Sequence, residues 1–269
     1  MNSRWIKGGV ISVTLAVVGL GVAWWLNTVE TDATWERIRT RGVISIATDA
    51  SFPPFAAVDD TGNLFGFDID LAEALGRRLG VQVEFENIAY DALLGVVLSE
   101  RNDAVISAYV IQPERMAEVA FTRAYFVNGT VAVVRADRQN NFTGEPLDWA
   151  RQKTIAVEYG ANGDALARRW ARRVAGVTIV PRSTAVEALL AVEASSAEVA
   201  LADAITAYEF LADHPALRLT GPPIEPEPYA IMVNIRSREL WRALEQALQA
   251  MEQEGELALL KTKWKLSAP

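Results

Sequence analysis

No cysteine occurs in this chain of 269 residues, and histidine occurs once. The first absence excludes disulfides, thiolate nucleophiles, cysteine-ligated zinc and iron–sulfur clusters. It also excludes a lipid-anchored N-terminal cysteine. A single histidine argues against a His-rich metal site and against a Ser-His-Asp triad, so no metal, cofactor or catalytic set is expected. Basic charge is short as well: 26 Lys and Arg face 34 Asp and Glu, a net −8. That balance argues against a nucleic-acid partner, whose grip comes from neutralised phosphates. The length suits one large domain or two small ones, with a core that needs no staples. Hydrophobic residues make up 51%, slightly high for a soluble domain, and part of the excess sits in one place.

That place is the N-terminus. Gly8 to Val29 is an uncharged run of 22 residues, preceded by Arg4 and Lys7 and followed by Glu30 and Asp32. It is long enough to cross a bilayer as a helix. The charge asymmetry puts the N-terminus in the cytoplasm and everything after Glu30 outside. Two readings stay open. Bulky Trp24-Trp25 suit an uncleaved interfacial anchor, while Thr31-Asp32-Ala33 offers a signal-peptide cleavage site. Either way the chain is exported. Without Arg4 and Lys7, 24 basic residues face 34 acidic ones, so the exported part carries −10.

Past Glu30, strands and helices alternate. Val43 to Ala47 reads as a strand. Ile69, Ala72, Leu75 and Leu79 recur at helical spacing, and Gly80 ends that helix. Val81 to Phe85 is a strand, Tyr90 to Ser99 a helix, Ala104 to Ser107 a strand. Pro113 suits the first turn of a further helix. A second unit repeats the pattern with Thr154 to Val157, Asp164 to Ala175 and Val177 to Val180. Thr184 and Glu187 have capping-box spacing before the next helix, and Val199 to Leu201 closes the unit. Tyr125 to Arg135 is an extended β-branched stretch between the units. Gly221 to Pro228 is too proline-rich for helix and reads as an extended linker, with Glu225 and Glu227 keeping it solvated. Tyr229 to Ile235 then reads as a strand and Arg238 to Glu254 as a helix. The pattern predicts an α/β fold of two lobes, each a mainly parallel sheet flanked by helices, joined by two extended hinge segments. The boundaries read as 1–32 for the export segment, 33–127 and 226–269 for lobe one, and 128–225 for lobe two. Ligands of open parallel sheets bind beyond the carboxyl ends of strands, here the cleft between lobes.

Four segments occur in order: Thr48 to Phe55, Ser107 to Arg115 and Ala202 to Ala204 follow strands, and Gly66 to Ala72 opens the first helix. Their combination resembles the polar-amino-acid receptors of ABC importers, periplasmic solute-binding protein family 3. The resemblance spans Trp35 to Leu266. It implies a type II periplasmic-binding-protein fold and non-catalytic capture of an amino acid. Delivery to a permease and its ATPase follows, by a monomer outside the cytoplasm.

The resemblance also implies roles that make physical sense. An α-amino acid is a zwitterion, so its receptor needs a fixed cation and a fixed anion close together. Arg115 matches the family arginine that grips the carboxylate, which guanidinium can do bidentately. A place in the first turn of a helix after Pro113 would add N–H donors and a favourable dipole. Asp203 matches the aspartate that receives the ammonium group, although an aspartate there also caps a helix running toward Leu211. One sits on each lobe, so the ligand bridges both and drives closure. Phe52 and Tyr90 match the aromatics that sandwich the ligand side chain. Asp49 matches an acid near the side-chain end. Gly160 and Asn162 lie on the loop that offers backbone N–H groups to the carboxylate.

Ser107, Ala108 and Val110 fall on the lobe-one binding loop, and three residues depart from the family pattern. Val110 stands where the family has Ser or Thr, which leaves only a backbone N–H there. Tyr109 replaces the usual Met or Leu, and Asn162 replaces a common Thr. Glu158, two residues before Gly160, joins Asp49 as a second acid, which points toward Arg, Lys or ornithine. Two other functions use the same scaffold. One is a membrane-tethered sensing domain acting through a partner. The other is a cyclohexadienyl dehydratase-like enzyme, to which Asp203-Ala204-Ile205 is similar. The catalytic glutamate that this second resemblance implies is here Thr206, which supplies no carboxylate acid–base chemistry.

Overall fold

A computed structural model describes residues 32–267. The expected anchor or signal segment, Gly8 to Val29, lies outside the described residues. Among the described residues no helix is long and apolar enough to cross a membrane.

Helix α1 (Thr34–Arg41) leads into strand β1 (Val43–Thr48). A small antiparallel sheet follows, made of β2 (Ser51–Phe52), β3 (Ala56–Val58) and β4 (Leu64–Phe65). Helix α2 (Phe67–Leu79) runs to β5 (Gln82–Asn87), and helix α3 (Leu93–Leu98) to β6 (Ala104–Val105). Both β5 and β6 lie parallel to β1, the unit expected for lobe one. Strand β7 (Val119–Arg135) then carries the chain into lobe two. There follow α4 (Pro146–Trp149), β8 (Thr154–Glu158), α5 (Asn162–Ala171) and β9 (Thr178–Arg182). Next come α6 (Ala185–Glu193), β10 (Val199–Asp203) and α7 (Ala204–Asp213). Strand β8 lies between β9 and β10, parallel to both. After β11 (Leu217–Leu219), β12 (Glu225–Asn234) returns to lobe one, where α8 (Arg238–Gln253) and α9 (Glu256–Lys263) follow.

Burial explains the layers. Successive residues of a strand face opposite sides. Ile44, Ile46, Ala104, Ile106, Ile231 and Val233 pack with α2 and α8, whereas Ala47, Val105 and Met232 pack with α3. In lobe two, Ala156, Ala200 and Ala202 face α6 and α7, while Ile155, Val157, Val199 and Leu201 face α5. Each lobe therefore has helices on both faces of its strands.

The two extended hinge segments, β7 and β12, pair antiparallel, so the strands of both lobes join in one nine-stranded sheet, ordered β5-β1-β6-β12-β7-β10-β8-β9 with β11 on β7. Two expectations need correction. Glu225 to Pro228 of the expected linker and the strand after it are one strand. Pro226 and Pro228 sit opposite Gly129 and Val127 in the ladder, at alternate positions, and Pro228 still accepts a bond from the Ile111 N–H. A strand tolerates prolines where their missing N–H is not needed for pairing. Finally, Pro113–Arg115 is a single 3₁₀ turn, not the start of a helix. Strand β7 begins at Val119, which leaves too few residues to repay helix nucleation.

The crossing is long and irregular. Seventeen residues of β7 span about 55 Å at strand rise. Its register against β12 shifts between Tyr229 and Ala230 and again between Ala230 and Met232. Such bulges raise local twist where the strands pass between lobes.

Candidate functional site

The parallel strands of lobe one end at one rim, and backbone hydrogen bonds tie the rim together. The Asp49 N–H donates to Ser107 Oγ at 2.8 Å. Asp49 Oδ2 accepts from the Tyr90 N–H at 2.8 Å, and Oδ1 from the Ser51 N–H at 3.0 Å. Asp49 therefore staples three loops, and each of its oxygens retains a lone pair. Phe52, 44% exposed, stacks on Phe55 with ring centroids 5.6 Å apart. Tyr90, 39% exposed, stacks on Tyr109 at 5.2 Å. Burial raises the Tyr90 phenol above its ordinary pKa, against the pull of the Val110 backbone N–H facing its hydroxyl. Both aromatics are thus exposed rings on a packed support.

The binding loop rests on a buried acid. Asp68 is fully buried at the start of α2, and its Oδ2 accepts the Ala108 N–H at 2.6 Å. The Tyr125 hydroxyl accepts the same N–H at 2.9 Å. Ala108 meets them with φ of 44°, in the left-handed region. Burial pushes the Asp68 carboxyl up to about 7, with the Tyr125 hydroxyl and the Ala108 N–H pulling the other way. The Ala108 N–H, expected on the binding loop, is therefore turned into the core. The neighbouring Val110 N–H faces the Tyr90 hydroxyl instead.

Arg115 is half exposed and pairs with Glu118 at 3.2 Å. Burial raises the Tyr109 phenol above its ordinary pKa, and the positive charge of Arg115 pulls the other way.

Lobe two supplies a pocket of about 310 Å³, lined among others by Glu158, Gly160, Asn162, Asp203, Asn128 and Glu227. Asn162 opens α5 directly after β8, so the first-turn N–H groups of a ten-residue helix face this space. The Gly160 N–H is already committed to Asp164 Oδ2 at 3.1 Å. Asp203 caps α7, its Oδ1 accepting the Thr206 N–H at 2.9 Å. Asp203 therefore caps the helix and also lines the pocket. The pocket's lining carries three acids and, among the described residues, no lysine or arginine.

The structure gathers Glu158, Gly160, Asn162 and Asp203 into this pocket, and Asp49, Tyr90 and Ser107 into the lobe-one rim. Among the described residues no hydrogen bond or ion pair joins Arg115 to Asp203. A match to the family model of bacterial extracellular solute-binding proteins, family 3, covers residues 44–267. The chain belongs to that family. Putative ABC transporter arginine-binding protein 2 of Escherichia coli K12 is 29% identical over 226 residues, covering 82% of this chain and 90% of the relative. The unliganded, open L-cystine solute receptor of Neisseria gonorrhoeae shares the fold at 23% identity. Its TM-score is 0.73, over 86% of this chain and 96% of that one. An ancestral cyclohexadienyl dehydratase is 26% identical with a TM-score of 0.70, over 86% and 95%. The family is one of solute receptors rather than enzymes, and its members work outside the cytoplasm. The two-lobed α/β expectation holds, and so does the expected family.

Sequence reasoning missed three residues that the structure brings to the site. Asp68 had a signal: it shares a helical face with buried Ala72 and Leu75, an odd place for a charge. Asn128 and Glu227 had none. Only the ladder register, which sets Glu227 opposite Asn128, brings them to the pocket.

Proposed function

We propose that this receptor captures a free α-amino acid in the cleft between its lobes and hands it to the permease of an ATP-driven importer. Arg115 grips the carboxylate bidentately, with the open N–H groups at the start of α5 as further donors. The uncapped oxygen of Asp203 takes the ammonium group. Phe52 and Tyr90 cover the side chain. Lobe one comprises 33–127 and 226–269, lobe two 128–225, and the receptor works as a monomer. Gly8 to Val29 exports it and either holds it at the membrane or is removed. The receptor performs no chemistry on its ligand, since Thr206 offers no carboxylate beside Asp203.

One observation carries this reading. Asp203 and the N-terminus of α5, an anion and a set of donors, open into one pocket beside the two crossing strands. A relative named for arginine binding supports the ligand class. Calorimetry of ligand-stripped protein against a panel of amino acids tests it. The expected result is one-to-one heat with at least one of them. Asp203→Asn keeps a cap acceptor for α7, so its melting temperature should hold while affinity falls about tenfold or more. A folded protein that gives no heat with any amino acid overturns the reading.

A further inference from the structure

The acid expected to keep the hinge solvated sits in the pocket instead. Glu227 lies on β12, directly opposite Asn128 on β7, and the Asn128 amide donates to its Oε2 at 3.4 Å and to the Tyr229 hydroxyl at 3.0 Å. No ion pair engages Glu227 among the described residues, although Arg169 answers the other acid of the same stretch, Glu225. Asn128 itself is only 9% exposed, lines the same pocket, and has no donor for its Oδ1. A buried acceptor without a donor costs stability unless something supplies one. With Asp203 taken by the ammonium group, the pocket still offers negative charge from Glu158 and Glu227, a buried free acceptor, and no basic side chain among the described residues. A neutral side chain would leave that charge facing an unpaired cavity. A guanidinium or a terminal ammonium carries both the charge and the several N–H donors that the site lacks.

We infer that Glu227 is a specificity-determining residue that, with Asn128, receives the cationic end of an arginine-like ligand at the hinge. The inference rests on the amino-acid reading above and adds the side-chain class to it. It also gives the hinge a part in recognition. Glu227 stands on β12, which runs from one lobe to the other, opposite Asn128 on β7, so filling the site engages both crossing strands.

The test compares L-arginine with L-citrulline, which keeps the shape and loses the charge. Calorimetry is run on the wild-type protein and on Glu227→Gln, a near-isosteric change whose fold is checked by its melting temperature. The wild type should prefer arginine. Glu227→Gln should lose about tenfold or more in arginine affinity, the scale of a charged hydrogen bond, and change little toward citrulline. Equal losses for both ligands would reduce Glu227 to a structural role, and an unchanged arginine affinity would remove it from the site. A wild type that prefers citrulline, or a neutral amino acid, overturns the inference and leaves the amino-acid reading standing. A wild type that binds none of them overturns that reading itself. Should Glu227→Gln misfold, the wild-type preference alone decides the side-chain class.

Discussion

At the scale of the residue, Asp68 shows how the binding loop is held. Burial outweighs its bonds to the Tyr125 hydroxyl and the Ala108 N–H and lifts its pKa to about 7. The sign for stability follows from proton counts. Below about pH 4 the group is protonated in both folded and unfolded chains. Between about 4 and 7 the unfolded chain has lost a proton that the folded one keeps, so stability falls as pH rises. Above about 7 both are ionised and this contribution is flat. The slope within the window is at most about 1.4 kcal/mol per pH unit. Asp68→Asn removes it. Denaturant titrations at several pH values should show the variant gaining on the wild type from pH 4 to 7 and running parallel above that. A gap that ignores pH contradicts the account. The same pair of groups sets Ala108 in the left-handed region, so the loop carrying Ser107 and Val110 owes its shape to a charge beneath it.

At the scale of the element, the crossing of β7 and β12 is the least forgiving part. Gly129 adopts φ of 126°, and a Cβ there would lie 2.0 Å from the Glu225 carbonyl oxygen. Gly129→Ala must strain the backbone and push the strands apart, at a cost of about 3 kcal/mol or more. For a chain of this size that lowers the melting temperature by roughly 6 °C or more, read by a thermal scan. Legibility differed between such elements for physical reasons. Helix α2 is plain in the sequence, because Ile69, Ala72 and Leu75 keep helical spacing and Gly80 stops it in the left-handed region. Thr184 accepts the Glu187 N–H at 3.1 Å, as its spacing predicts. Strand β12 is not plain, because Glu-Pro-Glu-Pro has the composition of a solvated linker. Its strand character comes from a partner almost a hundred residues earlier, which no local pattern reveals. The turn at Pro113 misleads for the converse reason: the local signal favours helix, and the start of β7 cuts it short. The site follows the same division. Residues at strand ends were legible through their motifs, whereas Asn128 and Glu227 depend on long-range register.

At the scale of the whole molecule, the acidic chain carries Arg115 on the exposed turn before β7 and three acids in the pocket of lobe two. On the proposed reading these are two half-sites on bodies joined by a pair of strands, and the full contact set exists only when the lobes meet. A ligand can shift that equilibrium only by binding the closed state better. The absent cysteines help here, since introduced thiols are the only ones a dye can find. Asp91, beside Tyr90, and Tyr159, beside Gly160, are exposed positions on lobe one and lobe two. The most direct test is the single-molecule energy-transfer distance between dyes on Asp91→Cys and Tyr159→Cys, read while L-arginine is titrated. The account predicts a move to one shorter distance that saturates with binding, and no move when Arg115→Ala is added. A distance that stays put while calorimetry shows arginine bound would contradict it.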